Sequence, residues 1–324
     1  MWALVLAAGE GTRLRALTTA PGGTVIPKQF WSLRSGPSLL GEAVRRARAV
    51  AVPAHICAVV AKQHRCWWEP ELETLLRENV IVQPSNRGTA VGILLPLLHI
   101  AQRDPEARVM LLPSDHHVRR EAILICALRV AAERLRWRSN ETVLLGIEAE
   151  TPDPQLGYIV PGRSDGHGAR EVLQFVEKPP LTRARELVEQ GGLWNAFIVA
   201  SRVQTLLTLF RRRIPQVVAS MHAAVQHDLA GDGDGFGVAG LYEQLPSIDF
   251  SRDILSGQET CLRVLRVAQC GWSDLGTPER VAAALRVEKD TGAHGPDSGC
   301  LNLAAQHERL SRLPSGMAVF EHRA

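Results

Sequence analysis

An α/β fold, a mostly parallel sheet flanked by helices, is predicted by three features of this 324-residue chain. Short, continuous apolar runs recur, as strands buried on both faces require. Stretches with helical spacing separate them. A glycine-bearing turn, with Gly9 and Gly11, comes directly after the first run.

Residues 2–8 (WALVLAA) are uninterrupted apolar and read as the first strand. Residues 38–50 have helical spacing behind Ser38, a favourable N-cap. Residues 55–61 repeat the buried-strand pattern. Residues 69–78 read as a helix and 80–83 as a short strand. Next come a helix at 87–102, a strand at 108–112, a long helix at 118–137 and a strand at 142–147. This β-α-β repetition implies a Rossmann-like, mixed but mostly parallel sheet with helices on both faces. After residue 150 the texture changes. Residues 157–160 and 171–177 look like short strands around a Gly/Asp/Ser/His loop, a small antiparallel insertion. Helices return at 182–190, at 202–213 and on to about 226. Residues 231–238 (GDGDGFGV) read as a flexible loop. Residues 254–260 and a strand at 262–268 lead into Trp272-Ser273-Asp274-Leu275-Gly276, and Thr277 caps a helix to about 287. The expected organisation is one domain at 1–287, with the insertion at about 150–200, and a C-terminal tail at 288–324.

Composition narrows the function. Lys plus Arg is 37 and Asp plus Glu is 34, a net charge of +3 that argues for no nucleic-acid or membrane partner. Aromatic residues make up 5%, too few for a single-strand stacking platform. The six cysteines, at 57, 66, 126, 261, 270 and 300, form no CxxC pair, so no zinc site is expected. Their scatter fits a reduced, cytoplasmic protein. The first residues have no basic leader, so no targeting signal is expected. No apolar run reaches the roughly 18 residues of a membrane helix.

The turn Gly9-Glu10-Gly11-Thr12-Arg13-Leu14 carries the first chemistry. Glycines let backbone N–H groups crowd an anion. A dinucleotide fingerprint needs a third glycine where Leu14 stands, which disfavours a nicotinamide dehydrogenase, and a P-loop needs different spacing. This turn carries Arg13 instead, and Pro27-Lys28-Gln29-Phe30 lies one loop further on. Backbone amides with an arginine fork and a lysine point charge suit a triphosphate whose leaving group is pyrophosphate. The glycines alone are equally a tight βα turn.

Asp115 and Asp274 lie just beyond strands far apart in sequence. Carboxylates at strand ends can share one Mg²⁺, which takes one or two carboxylates and fills its shell with phosphate and water. Asp115 is otherwise a helix cap, and Asp274 a turn residue before Gly276. His116 is expected to be a local hydrogen-bond partner and His117 a surface residue. Gln83 can read a base edge and Gly88 can let backbone approach it, or the segment is a loop leading into a helix, capped by Asn86. Glu177 can accept sugar hydroxyls and Lys178 can hold a sugar phosphate, or both are an exposed strand end. Neighbouring strand residues point to opposite faces, so both reach one ligand only where the strand ends, as Pro179 suggests. Trp194 is expected in the core. Arg45-Arg46 and Arg211-Arg212-Arg213 are expected on solvated helix faces.

Taken together, Gly9–Arg13 with Pro27-Lys28-Gln29-Phe30 resembles the signature of sugar-1-phosphate nucleotidylyltransferases, and within them the mannose-1-phosphate guanylyltransferases. Gln83-Pro84-Ser85-Asn86-Arg87-Gly88-Thr89-Ala90, Leu112-Pro113-Ser114-Asp115-His116, Leu156-Gly157-Tyr158-Ile159, Phe175-Val176-Glu177-Lys178-Pro179, Trp194-Asn195, Ser247-Ile248-Asp249-Phe250 and Trp272-Ser273-Asp274-Leu275-Gly276 match in the same order. The chain departs from the pattern at Ala196-Phe197, where the family commonly carries a glycine.

The resemblance implies GTP and mannose 1-phosphate as substrates, Mg²⁺ as cofactor and a possible homodimer. It places Ala7, Ala8, Gly9, Gly11, Thr12, Arg13, Gln83, Gly88, Thr89 and Asp115 at the nucleotide. It places Gly157, Tyr158, Glu177, Lys178, Asn195 and Asp249 at the sugar phosphate. It assigns the metal to Asp115 and Asp274, and catalysis to these two with Arg13 and Lys28. The competing expectations are UTP or dTTP with glucose 1-phosphate, or a non-catalytic sugar-nucleotide-binding protein of the same fold.

Overall fold

The computed structural model describes residues 1–286, apart from 12, 13, 20, 21, 35 and 232–236. The strands are β1 (Trp2–Ala7), β2 (Ile56–Ala61), β3 (Val80–Gln83), β4 (Arg108–Pro113), β5 (His117–Val118), β6 (Thr142–Glu148), β7 (Tyr158–Ser164), β8 (Ala169–Val176), β9 (Leu193–Arg202), β10 (Leu262–Val267) and β11 (Trp272–Ser273). Nine form one sheet in the order β3-β2-β1-β4-β9-β6-β10-β8-β7. β1 runs parallel to β2 and β4, β2 to β3, and β6 to β10. The hairpin β7–β8 joins antiparallel beside β10, so the expected antiparallel insertion is an extension of the main sheet.

β9 is the strand the sequence reading passes over. It lies antiparallel between β4 and β6, in the middle of the sheet. Its register against β6 slips around Leu144 and Gly146, a bulge that falls next to Asn195.

The main helices are α1 (Arg15–Thr18), α2 (Leu39–Arg48), α3 (Arg65–Glu71), α4 (Gly88–Arg103), α5 (Glu121–Trp137), α6 (Leu181–Glu189), α7 (Val203–Arg213), α8 (Pro215–Ala230), α9 (Val238–Gln244) and α10 (Pro278–Arg286). Apolar residues of α2, α3, α5 and α6 pack on one face of the sheet. Those of α4, α7, α8 and α9 pack on the other. β1 serves both, with Ala3, Val5 and Ala7 on one side and Trp2 and Leu4 on the other. That is why its sequence is continuously apolar.

Several expectations are corrected. The helix expected at 69–78 is α3, one turn earlier, because Trp68 is the residue that buries and its Nε1 donates to the Ala61 carbonyl at 3.0 Å. Val238 begins a helix instead of closing a loop. α5 starts at Glu121, and the residues before it pair as β5 with β11. That pairing buries His117, which was expected on the surface. Arg46 is 3% exposed, not solvated, because Glu42, Glu121 and the His116 carbonyl take its guanidinium. Arg45 and Arg211-Arg212-Arg213 are exposed, and Trp194 is buried as expected. The tail at 288–324, with Cys300, lies outside the described residues. Cys57, Cys66, Cys126, Cys261 and Cys270 are unbridged. Among the described residues no helix is long and apolar enough to cross a membrane.

Candidate active site

A cavity of about 580 Å³ opens at the carboxyl ends of the parallel strands, the usual ligand position in an open α/β sheet. The loop after β1 forms one wall. Gly9 and Gly11 line it, and Gly11 has φ +60°. A Cβ there would stand 2.6 Å from the Lys28 backbone nitrogen, so only glycine lets the two loops touch. Gln29 joins them, its Nε2 donating to the carbonyls of Ala7 at 3.2 Å and Gly9 at 2.7 Å. Ala8 lines the cavity, while Ala7 is buried behind it. Thr12 and Arg13 lie outside the described residues.

Lys28 ties the Asp115 carboxylate to the Asp274 backbone. Its buried ammonium donates to Asp115 Oδ2 at 3.0 Å and to the backbone carbonyl of Asp274. Both acids line the cavity. Asp115 comes after β4 and Asp274 after β11, and the β5–β11 pairing of His117 with Ser273 holds the two loops side by side. Burial acts to raise the Asp115 pKa, but Lys28 and His116 outweigh it and hold the carboxyl below its ordinary value. Asp115 caps no helix, because α5 begins six residues later.

His116 is held in one tautomer. Trp272 Nε1 donates to its Nδ1 at 3.2 Å. An indole only donates, so Nδ1 must accept and the ring proton sits on Nε2. Nε2 stands 3.5 Å from Asp115 Oδ1. Burial pushes the His116 pKa down, against the pull of Asp115.

The donor set fits a hard divalent cation. Among the described residues no three His, Cys, Asp or Glu side chains gather, which leaves two carboxylates for a metal. Mg²⁺ accepts that number and completes its shell from phosphate and water. On Asp274, Oδ1 accepts the Gly276 N–H at 3.1 Å and one arm of Arg280. Asp274 is thus both a turn residue and a cavity residue. Its Oδ2 makes no hydrogen bond among the described residues.

Gln83 is 2% exposed, lines the cavity, and its Oε1 has no hydrogen-bond partner among the described residues. An unpaired buried amide oxygen costs about 1–3 kcal/mol unless a ligand satisfies it. Gly88 has φ +82°, and a Cβ there would meet the Ile248 carbonyl oxygen at 2.3 Å. Asn86 Oδ1 accepts the Gly88 N–H at 2.9 Å, so the capping role and the cavity position coexist. Thr89 Oγ1 donates to Asp249 Oδ2 at 3.4 Å and accepts the Phe250 N–H at 2.8 Å. Asp249 lines the cavity as well.

Gly157, Glu177, Lys178 and Asn195 line the same cavity. β8 stops at Val176, and Lys178 turns into the left-handed region at φ +48°. That reversal lets two consecutive residues face one cavity, with Lys178 Nζ 3.4 Å from Glu177 Oε1. Burial, with Asp249 nearby, raises the Glu177 pKa, and Lys178 offsets part of it. A Cβ on Gly157 would lie 2.6 Å from Glu177 Oε2, so the glycine makes room for the carboxylate. Asn195 Oδ1 accepts the Phe197 N–H at 3.0 Å. Phe197 takes φ +56°, and its ring meets Phe250 edge-on at 5.9 Å. Lys178, Phe197 and Leu275 are the non-glycine residues with positive φ among those described. Two line the cavity and the third adjoins Asp274. Each costs about 1–2 kcal/mol, strain that tends to gather at working sites.

Tyr158 does not reach the cavity. It is fully buried, and its hydroxyl accepts the Asp153 N–H at 2.7 Å and donates to the Asp153 carbonyl at 3.0 Å. Sequence reasoning passed over Gln155, Ser251 and Arg252, which line the cavity, and Arg280, which holds Asp274. Gln155 and Arg252 are held by near neighbours in the chain, Asp153, Asp249 and Asp253, whereas Arg280 also reaches Asp153, far away in sequence.

An open α/β sheet with a glycine loop, a lysine and two acids at its carboxyl edge defines a nucleotide-handling protein. Its family is a specific one: the chain belongs to the nucleotidyl transferase family, whose sequence pattern matches residues 2–290. It is similar to a mannose-1-phosphate guanylyltransferase of Salmonella typhimurium, 29% identical over 293 residues, covering 86% of this chain and 58% of that protein. A xanthan biosynthesis protein of Xanthomonas campestris is 28% identical over 320 residues, 95% of this chain and 65% of its own length. The chain thus spans about 60% of the curated relatives it matches. A solved structure from Thermus thermophilus, described as a mannose-1-phosphate geranyltransferase, superposes with a TM-score of 0.75 at 26% identity, covering 88% of this chain and 79% of that one.

Proposed function

We propose that the protein transfers a guanylyl group from GTP to mannose 1-phosphate, giving GDP-mannose and pyrophosphate. The observation that carries this reading is one cavity lined by Gly9, Gly11, Asp115, Asp274, Glu177, Lys178 and Asn195, with Lys28 tying Asp115 to the Asp274 backbone. The relatives' names supply the choice of guanosine and mannose.

The sugar phosphate has a second pKa near 6, so its oxygen is already anionic at pH 7 and needs no general base. That oxygen forms a bond to the α-phosphorus while the bond to the β-phosphate oxygen breaks and pyrophosphate leaves. Little covalent work falls to the protein, so positioning and charge stabilisation carry the rate. Mg²⁺, held by Asp115 and Asp274, would supply charge stabilisation at the phosphate oxygens. Lys28 stabilises the α-phosphate, and the Gly9–Gly11 amides with Arg13 receive the leaving pyrophosphate. Gln83 Oε1 accepts from the base edge, and the Gly88 backbone lets the base approach. Glu177 accepts sugar hydroxyls, Lys178 faces the sugar phosphate and Asn195 orients the ring.

The test is a panel of four nucleoside triphosphates against several sugar 1-phosphates, read by pyrophosphate release. GTP with mannose 1-phosphate should give the highest kcat/KM. A higher value for UTP or dTTP with glucose 1-phosphate overturns the specificity. Thermal stabilisation by nucleotide without turnover of any pair overturns the catalysis.

A further inference from the structure

Behind the cavity, a closed circuit of side chains joins the two acids. Asp115 meets His116, whose ring stands edge-on to Trp272 at 5.2 Å and accepts its indole N–H. Trp272 packs against Trp194 at 6.1 Å, and Trp194 Nε1 donates to the Tyr158 hydroxyl at 3.4 Å. Tyr158 is bonded twice to the Asp153 backbone. Arg280 then closes the circuit, one arm of its guanidinium on Asp153 Oδ2 and the other on Asp274 Oδ1.

Arg280 sits in the first turn of α10, with its side chain 17% exposed. Asp153 has a second task, since its Oδ1 accepts the Gln155 N–H at 2.8 Å. The segment from Asp153 to Tyr158 is therefore fixed at both ends, and Gln155, Leu156 and Gly157 between them form cavity wall. Charge explains why two acids share the arginine. A guanidinium on Asp274 alone would cancel the charge that a cation needs. With Asp153 included, the trio keeps a net charge of −1, and Asp274 Oδ2 makes no hydrogen bond among the described residues. A planar fork can serve two carboxylates in different directions, which an ammonium point charge does not do in fixed geometry.

We propose that Arg280 is a positioning residue that sets Asp274 and the 153–157 loop as one unit, so that cation binding and sugar-phosphate binding depend on each other. The identity of the sugar phosphate rests on the function proposed above. By linkage, whatever factor one ligand imposes on the other is returned in equal measure.

The experiment uses Arg280→Gln, Arg280→Lys and Asp153→Asn in the full chain. Mn²⁺ binding without substrates is tracked by the paramagnetic resonance of the free ion, and mannose 1-phosphate binding by calorimetry. Loss of a residue that orients a metal ligand typically weakens the metal about 10–100-fold. Arg280→Gln should weaken Mn²⁺ by at least tenfold and mannose 1-phosphate by a similar factor, with the KM for GTP within twofold. Asp153→Asn, which touches no atom of Asp274, should also weaken Mn²⁺, because Arg280 then neutralises Asp274 without an offset. Arg280→Lys should restore at most one of the two affinities. The proposal is overturned if the GTP KM rises as much as the sugar-phosphate KM, if Asp153→Asn leaves Mn²⁺ binding within twofold, or if Arg280→Lys restores both affinities. If the wild-type protein makes no GDP-mannose, the proposed function fails separately. The Mn²⁺ series and hydrogen exchange at residues 153–158 still decide the role of Arg280.

Discussion

Gly11→Ala tests the geometry of the phosphate end with one methyl group. Two penalties add. An alanine at φ +60° costs about 1–2 kcal/mol. Its Cβ would also stand 2.6 Å from a backbone nitrogen of Lys28, where ordinary contact begins at 3.4 Å. Backbone cannot swing aside as a flexible side chain does, so one loop must retreat. Gln29 resists that retreat through its bonds to Ala7 and Gly9, worth about 1 kcal/mol each. Either those bonds stretch, or Lys28 is drawn off Asp115, now 3.0 Å away. A misplacement approaching 1 Å at a reacting centre costs about 10²-fold. The expected result is a loss of about 10² in kcat/KM, read by pyrophosphate release with GTP and mannose 1-phosphate. Destabilisation of about 2 kcal/mol should lower the Tm by about 4–8 °C in a calorimetric scan. A variant with activity within threefold of wild type and an unchanged Tm would refute the claim that Gly11 spaces Lys28.

Three further outcomes are expected. Asp274→Ala should fold normally by circular dichroism yet lose about 10²–10³ in rate at saturating Mg²⁺; near-wild-type turnover removes Asp274 from the cation site. The Glu177 pKa is raised by burial, so its ionised, hydroxyl-accepting form declines earlier than usual as the pH falls; kcat/KM for the sugar phosphate should drop from pH 7 to 5 more steeply than in Glu177→Gln, where only the substrate's own titration remains. Asp165 is held below its ordinary pKa: burial opposes this, but the His167 N–H and the buried Arg134 outweigh it. Its contribution is then present above the ordinary carboxylate value and lost as the pH falls through the folded one. Asp165→Asn should cost about 1 kcal/mol at pH 7 and flatten the decline of Tm below about pH 4; parallel Tm profiles for the two proteins would refute the linkage.

Much of this architecture was legible because its physics is local. β1, β2 and β4 are buried on both faces and advertise it as unbroken apolar runs. Ser38 does cap α2, accepting the Gly41 N–H at 3.0 Å. Asp115, the Gly9–Gly11 turn and the Glu177-Lys178 pair could be singled out because each follows a recognisable strand. What escaped was settled by partners far along the chain. His117 is buried by Ser273, and Arg46 by Glu121 and the carbonyl of His116. β9 escaped because Trp194 and Asn195 drew attention as a motif, and no neighbouring strand in sequence announced its antiparallel partners. The left-handed turn at Lys178, which puts two adjacent side chains on one side, has no signature beyond the proline just after it.

The position of β9 has a consequence for anyone who would re-engineer this protein. The segment after residue 150 reads like a detachable cassette, yet its last strand is the seam between β4 and β6. Transplanting that portion from a cousin would therefore replace the keel of the recipient's sheet, not a fitting on its deck. Substrate preference should move more readily by single side-chain exchanges around the cavity than by swapping whole segments.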